Sequence, residues 1–404
     1  MQATVVSIGN ELLDGKTTNT NLVFLSKVLK ESGFVVSQSL TLRDSSESIK
    51  RALDYIDDDW VFFTGGLGPT RDDLTKESVC EYFDLTLELH HESLTRIKNY
   101  FANLGREMAE SNVKQAYFPK EALIIPNHLG SAPGMILPIE NKHIILLPGP
   151  PSELKPMFGY IKNYINQQET LEDYESGYRV VGIGESDLET DLQDFYDEHH
   201  DVSIASYPGL AEIEYVFISK DKDKLAKALN AFRERYGKYI IGPHTQTLEE
   251  RLVEVLKTQE KTISFAESCS AGLASARLVN VAGSSDVFNE SYVLYSNQAK
   301  IKQLGVNNLI IEKFGAVSDQ CVYELAYQLA QRTGADITLS ISGIAGPTGG
   351  TALKPIGTMY FGVTHEGKTK TYSKVFSGDR DMVRQKAVTY GLYLVLKRLL
   401  HEDI

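Results

Sequence analysis

Between positions 262 and 300 the chain reads TISFAESCSAGLASARLVNVAGSSDVFNESYVLYSNQAK, which brings several hydroxyls and one amine within a short span. Ser268, Ser284 and Ser285, with Tyr295 and Lys300, are the residue types that activate a hydroxyl without histidine. The chemistry these parts allow is activation of a serine hydroxyl without a histidine. Cys269 is a competing nucleophile, but no histidine lies close in sequence to activate it, and it ranks below Ser268. The same residues also have a purely structural reading: Ser268 and Ser270 cap a helix, Tyr295 is a half-buried strand residue, and Lys300 is solvated.

The elements that must position these groups follow from periodicity. A β-type run at 262–265 leads into ESCSAG, and Leu273, Ala276, Leu278 and Val279 give the next segment a helical pattern. Small residues at a strand-to-helix turn present side-chain oxygens and free backbone N–H groups to a ligand at one place. Further on, a strand at 338–343 runs into Ile344-Ala345-Gly346-Pro347-Thr348-Gly349-Gly350, a second candidate anion cradle. Segments 357–364 and 369–376 form a hairpin, and a final helix carries Val383, Ala387, Leu394, Val395 and Leu399 on its apolar side. Arg380 and Arg384, one turn apart at its start, have the spacing to pair with a phosphate or are simply surface arginines.

A second concentration of chemistry lies near the N-terminus. Residues up to about 165 alternate strand and helix patterns, with strands at 3–8, 34–42, 60–63 and 143–147. That alternation predicts a doubly wound parallel sheet. Ligands of such sheets sit at the carboxyl ends of the strands. After the first strand come Gly9, Asn10 and Glu11, then Asn19 and Asn21. After the third come Thr64-Gly65-Gly66-Leu67-Gly68-Pro69-Thr70-Arg71-Asp72-Asp73, and after the fourth Pro148-Gly149-Pro150-Pro151 with Glu153. Glycines let amides approach a phosphate, and adjacent carboxylates suit Mg²⁺ bridged to it.

With 404 residues the chain is long for one core, and two or three domains are expected. A net charge of −13 argues against a sequence-independent grip on nucleic acid, which needs a basic face. Three scattered cysteines, Cys80, Cys269 and Cys321, form neither a disulfide framework nor a Cys-x-x-Cys metal site. No apolar run has membrane-spanning length, and the sequence opens directly on a strand pattern, so a cytoplasmic location is expected. From about 171 the pattern changes to a small α+β module, with strands at 179–183, 202–206, 212–219 and 239–241 and helices at 186–200 and 223–236. It carries no catalytic signal and reads as a connector.

The succession IGNELLDG, TGGLGPTRDDLT, LPGPPSEL, AESCSAG, AGSS, YSNQAK, GIAGPTGG, KPIGT and SGDR resembles the full-length CinA (competence/damage-inducible) family over nearly the whole chain. The resemblance implies a MogA-like, molybdopterin-binding-like α/β domain (1–170), a KH-like α+β connector (171–244) and an α/β nicotinamide-nucleotide amidohydrolase domain (245–404). AESCSAG carries Ser270 and Ala271 where the family pattern has Thr and Gly, and LPGPPSEL carries Leu154 in place of Met. The implied activities are deamidation of nicotinamide mononucleotide at the C-terminal site, with no cofactor, and hydrolysis of the ADP-ribose pyrophosphate with a divalent metal, Mg²⁺, at the N-terminal one. In the first, Ser268 or Ser285 attacks the amide carbon while Lys300 and Tyr295 move its proton. Amides of the 268–272 turn, Gly272 included, stabilise the oxyanion, while Ser342, Gly346 and Arg380 or Arg384 hold the nucleotide. In the second, Asp72 and Asp73, with Glu11, bind the metal. Gly65, Gly66 and Gly68 then receive the phosphates, and Asn19 and Asn21 contact the rest of the ligand. The expected partners are these small nucleotides and a second copy in a homodimer, with neither nucleic acid nor membrane. Two other functions fit the motifs: a molybdopterin- or nucleotidyl-handling transferase in the N-terminal domain, or a non-enzymatic competence or damage-response adaptor.

Overall fold

Strands that are apolar on both faces belong in a parallel sheet covered on both sides. Such strands stand at Gln2–Ile8, Trp60–Thr64 and Lys142–Leu147, where Val5, Val6, Phe62, Phe63, Ile145 and Leu146 are all inaccessible to solvent. The computed structural model describes residues 1–168 and 174–402. It divides into two compact units, Met1–Glu172 and Asp173–Ile404.

In the first unit the sheet order is Val35–Leu42, Gln2–Ile8, Trp60–Thr64, Lys142–Leu147, Gly134–Ile139, Leu123–Ile125. The first four strands are parallel, and the last two add on antiparallel. Alternate side chains feed two cores. Val5, Phe62 and Ile145 pack with Leu25, Leu29, Leu154 and Ile161, whereas Val6, Phe63 and Leu146 pack with Ile49, Leu53 and Val79. Helices on both faces make this the expected doubly wound α/β arrangement. The helix Thr20–Glu31 starts at Asn19, whose side chain accepts from the Leu22 amide, and Ser45 caps Ser46–Tyr55 through the Ser48 amide.

The second unit begins with a four-stranded antiparallel sheet in the order Ser203–Pro208, Glu212–Ser219, Tyr174–Val181, Ile240–Pro243. The helix Lys222–Tyr236 packs on it. The helix expected at 186–200 is two short ones, Glu185–Asp191 and Gln193–Glu198, broken at Leu192. Leu188, Leu192 and Phe195 stay buried against the sheet.

A five-stranded sheet follows, ordered Phe288–Val293, Ile263–Glu267, Ile337–Gly343, Thr358–His365, Lys368–Val375. The first three strands are parallel, and the last two form the expected antiparallel hairpin. The helices Leu248–Thr258, Leu273–Val279 and Arg380–Leu399 share a core with Phe265, Leu339 and Phe361 on one face. Asp319–Thr333 and Asn297–Leu304 pack on the other. This places the ends of Ile263–Glu267, Phe288–Val293 and Ile337–Gly343 side by side, where the loops carrying Ser268, Tyr295 and Ile344 begin. Among the described residues no helix is long and apolar enough to cross a membrane.

Candidate active site

The strand Ile263–Glu267 ends on a carboxylate that is fully buried. Glu267 accepts from the amides of Gly272 (3.0 Å), Ala274 (3.1 Å) and Ser275 (3.0 Å) and from the Ser275 hydroxyl (2.7 Å). The helix Leu273–Val279 is therefore capped by an acid reaching back from the strand, not by Ser268 or Ser270. The chain between them turns through two left-handed residues, Ala271 (φ 53°) and Gly272 (φ 91°).

This turn sets Ser268 against Lys300. Lys300 lies on the helix Asn297–Leu304, which Ser296 caps through the Ala299 amide. Its side chain points inward and is only 1% exposed, so the solvated reading is wrong. Its Nζ bonds the Ser268 Oγ at 3.0 Å and the carbonyls of Leu294 (2.7 Å) and Tyr295 (3.4 Å). Burial pushes the ammonium pKa below the usual lysine value, and no carboxylate stands beside it to restore the charge. The arrangement is a hydroxyl facing an amine whose charged form is disfavoured by burial. Cys269 is buried against the Met359 sulfur at 3.5 Å, and burial pushes its thiol up to about 11, which removes it as a nucleophile at neutral pH.

Ser268 and Lys300 open onto a cleft of about 320 Å³, which Tyr295, Ala316, Ser342, Gly346, Gly349 and Arg380 also line. The size falls within the roughly 300–1,000 Å³ of small-molecule sites. Tyr295 is 62% exposed and lies just beyond the strand Phe288–Val293, contrary to the half-buried strand reading. Its hydroxyl accepts from Arg380 at 3.1 Å, and the same guanidinium donates to the Gly346 carbonyl, which closes one wall of the cleft. The Ser342 hydroxyl donates to the Ala316 carbonyl at 2.8 Å, so toward a ligand it can act only as an acceptor.

Three expectations for this site change. Ser285 is exposed on the turn Ser284–Asp286 and does not line the cleft, so Ser268 is the serine brought to Lys300. Arg384 does not face the cleft either: its Nε donates to the Cys269 carbonyl at 3.0 Å and its Nη2 to the Ser270 carbonyl at 2.9 Å. Of the amides at 268–272, Ser268 bonds the Ile341 carbonyl, Ala271 the Ser268 carbonyl, and Gly272 the Glu267 carboxylate. Gly272 is thus a turn residue and not a ligand contact. In the 344–350 loop, the amides of Ala345, Gly346 and Gly349 donate to no acceptor among the described residues. Glu267 was missed from sequence; an acid at the end of a strand five to eight residues before the amides it caps was the available signal.

In the first unit the glycine loop is built as a turn over the strand ends. Gly65 has φ 105°, and a Cβ there would meet the Ile8 carbonyl oxygen at 2.2 Å; one on Gly66, at φ 67°, would meet the Thr75 hydroxyl at 2.1 Å. Both positions require glycine. The amides of Gly66, Leu67 and Gly68 donate to no acceptor among the described residues. Lys114 pins the loop through the Thr70 and Asp73 carbonyls, and Thr75 through the Gly65 carbonyl. Asn19 and Asn21 serve the scaffold. The Asn19 amide bonds Ser7 at 2.8 Å, and that of Asn21 ties Thr64 to the Gly149 carbonyl at 2.7 Å each, leaving its buried Oδ1 without a partner.

The expected metal set of Asp72, Asp73 and Glu11 is not assembled. Among the described residues no three His, Cys, Asp or Glu side chains converge on one point. Asp73 Oδ2 is held by the Thr70 amide and hydroxyl, whereas Asp72 is exposed and forms no hydrogen bond or ion pair among the described residues. These side chains do not make a preformed metal cage.

Comparison with known proteins covers the whole length. Residues 4–167 match the family described as "probable molybdopterin binding domain", 176–242 the "damage-inducible protein CinA KH domain" and 245–399 the "CinA C-terminal domain". A CinA-like protein of Dictyoglomus turgidum is 42% identical, over 99% of this chain and 100% of that protein. One of Kosmotoga olearia is 40% identical, over 99% of both. Among solved structures, a competence or damage-inducible protein from Enterobacter asburiae is 35% identical over 38% of this chain and 99% of its own, with a TM-score of 0.37.

Proposed function

The chain belongs to the full-length CinA family, and on that premise we propose that it is a hydrolase whose C-terminal site deamidates nicotinamide mononucleotide to nicotinic acid mononucleotide and ammonia. The observation that carries this reading is the buried Lys300 amine on the Ser268 hydroxyl at 3.0 Å. Ser268 Oγ attacks the carboxamide carbon as its proton passes to Lys300 Nζ. The tetrahedral adduct collapses, the C–N bond breaks, and Lys300 returns the proton to the departing ammonia, leaving an acyl ester on Ser268. Water then attacks the ester and gives a proton to Lys300, which passes it to Ser268 Oγ as the acyl–oxygen bond breaks; the carboxylic acid released loses its remaining proton to solvent. Arg380 and the amides of Ala345, Gly346 and Gly349 supply positive potential along the cleft for a nucleotide phosphate. Replacing Lys300 with alanine should lower ammonia release from this nucleotide by roughly 10²-fold or more. A Lys300→Ala rate within a few-fold of wild type would show the mechanism to be wrong.

For the first unit the proposed reaction is hydrolysis of a pyrophosphate such as ADP-ribose, with the free amides of Gly66, Leu67 and Gly68 receiving a phosphate. Mg²⁺ in such sites takes one or two carboxylates and completes its shell with substrate phosphate and water. Asp72 is the side chain free to hold it, and bound there the ion would neutralise phosphate charge. The match to a molybdopterin binding domain favours a second reading, a molybdopterin- or nucleotidyl-handling transferase. Assaying adenylyl transfer beside ADP-ribose hydrolysis separates the two.

A further inference from the structure

The turn carrying Ser268 is gripped from outside the cleft by a guanidinium. Arg384 projects from the first turns of the helix Arg380–Leu399 and donates to two consecutive carbonyls, Cys269 through Nε at 3.0 Å and Ser270 through Nη2 at 2.9 Å. A trans peptide points its N–H opposite to its C=O, so fixing those two oxygens also fixes the N–H directions of Ser270 and Ala271. The Ala271 N–H in turn donates to the carbonyl of Ser268 at 3.2 Å. A continuous line therefore runs from the guanidinium through the Ser270–Ala271 peptide to the backbone of the nucleophile. Each link is polarised by the one before it. At the far end of the turn Glu267 holds the Gly272 amide at 3.0 Å, so a cation fixes the carbonyl side and an acid the amide side. Such an anchor is needed here because Ala271 sits at φ 53°, a region a non-glycine residue leaves readily when it is not held.

We propose that Arg384 is a positioning residue for the Ser268 hydroxyl, acting through the backbone of the turn and not through the substrate. The inference rests on Ser268 being the nucleophile. A lysine at 384 keeps the charge but lacks the planar fork that spans two carbonyls.

The test is the rate at which diisopropyl fluorophosphate, a neutral serine reagent unrelated to nucleotides, labels Ser268, with the site located by peptide mass spectrometry. Steady-state deamidation of nicotinamide mononucleotide is measured beside it. Arg384→Lys should label about 10–100-fold more slowly than wild type and lose kcat by a similar factor, with KM changed less than about threefold. Arg384→Gln, which keeps one donor, should behave alike, and added guanidinium should restore part of the labelling rate of Arg384→Ala, a response a merely structural role would not give. Labelling at the wild-type rate in folded Arg384→Lys overturns the proposal, and so does a raised KM with unchanged kcat, which would make Arg384 a substrate ligand. If wild type labels at Ser268 and the Arg384 variants lose labelling, but no deamidation occurs, the substrate reading fails and the positioning role stands. Absence of Ser268 labelling in wild type overturns both.

Discussion

Ala271 holds a left-handed backbone conformation without being glycine, so replacing it with glycine is a quantitative test of the turn. At φ 53° the residue occupies the left-handed well, and its side chain is exposed, so truncation loses almost no buried surface. The left-handed conformation costs a non-glycine residue roughly 1–2 kcal/mol. Glycine escapes that cost but gives back roughly 0.5–1 kcal/mol of chain entropy on folding. The difference leaves Ala271→Gly about 0.75 kcal/mol more stable, which for a unit of this size is a rise in Tm of about 1.5–3 °C. Differential scanning calorimetry on the full chain reads it directly. Ala211, at φ 68° in the connector hairpin, is an independent second site whose glycine variant should add its own increment. An unchanged or lower Tm in Ala271→Gly would refute the left-handed turn, and with it the account of how Ser268 is presented.

Three further outcomes follow from named contacts. Glu267→Ala strands the Gly272, Ala274 and Ser275 amides and should cost about 3–5 kcal/mol in urea unfolding, with a loss under 1 kcal/mol counting against the cap. Lys76, buried in the first unit on the Lys114 carbonyl, has its pKa lowered by burial to about 8. Between about pH 8 and 10.5 the unfolded chain holds a proton there that the folded chain lacks, so stability rises with pH across that window, by about 3 kcal/mol in all. Wild type measured against Lys76→Met should show that slope, and its absence would place Lys76 in water. ADP-ribose hydrolysis should vanish in excess chelator and return with Mg²⁺, whereas deamidation should continue in chelator; a chelator-resistant pyrophosphatase would exclude the metal-assisted reading.

Much of the framework was legible in the sequence because its signals are local. Continuous apolar runs marked the parallel strands, and the glycines at 65, 66 and 68 marked the loop whose amides at 66–68 stay open at the strand ends. What the sequence concealed were contacts across the fold. The strands at 123–125 and 134–139 are short, and Pro138 masks the second. Ser268 and Ser285 were equivalent on paper, and only the pairing of Ile263–Glu267 with Phe288–Val293 brings Lys300 to one and leaves the other in solvent. Arg384 read as a phosphate ligand because spacing along a helix does not reveal which of two neighbouring arginines meets a backbone carbonyl. Lys300 and Glu267, charged residues that composition assigns to the surface, are buried by partners 6 to 32 and 5 to 8 positions away.

The central claim is that Ser268, activated by Lys300, is the nucleophile of an amidase. Ammonia release from nicotinamide mononucleotide by wild type, Ser268→Ala and Ser285→Ala tests it most directly. The account predicts turnover by wild type, a fall of about 10³-fold or more in Ser268→Ala, and a Ser285→Ala rate within about threefold of wild type. Full activity in Ser268→Ala, or its loss in Ser285→Ala alone, would contradict it.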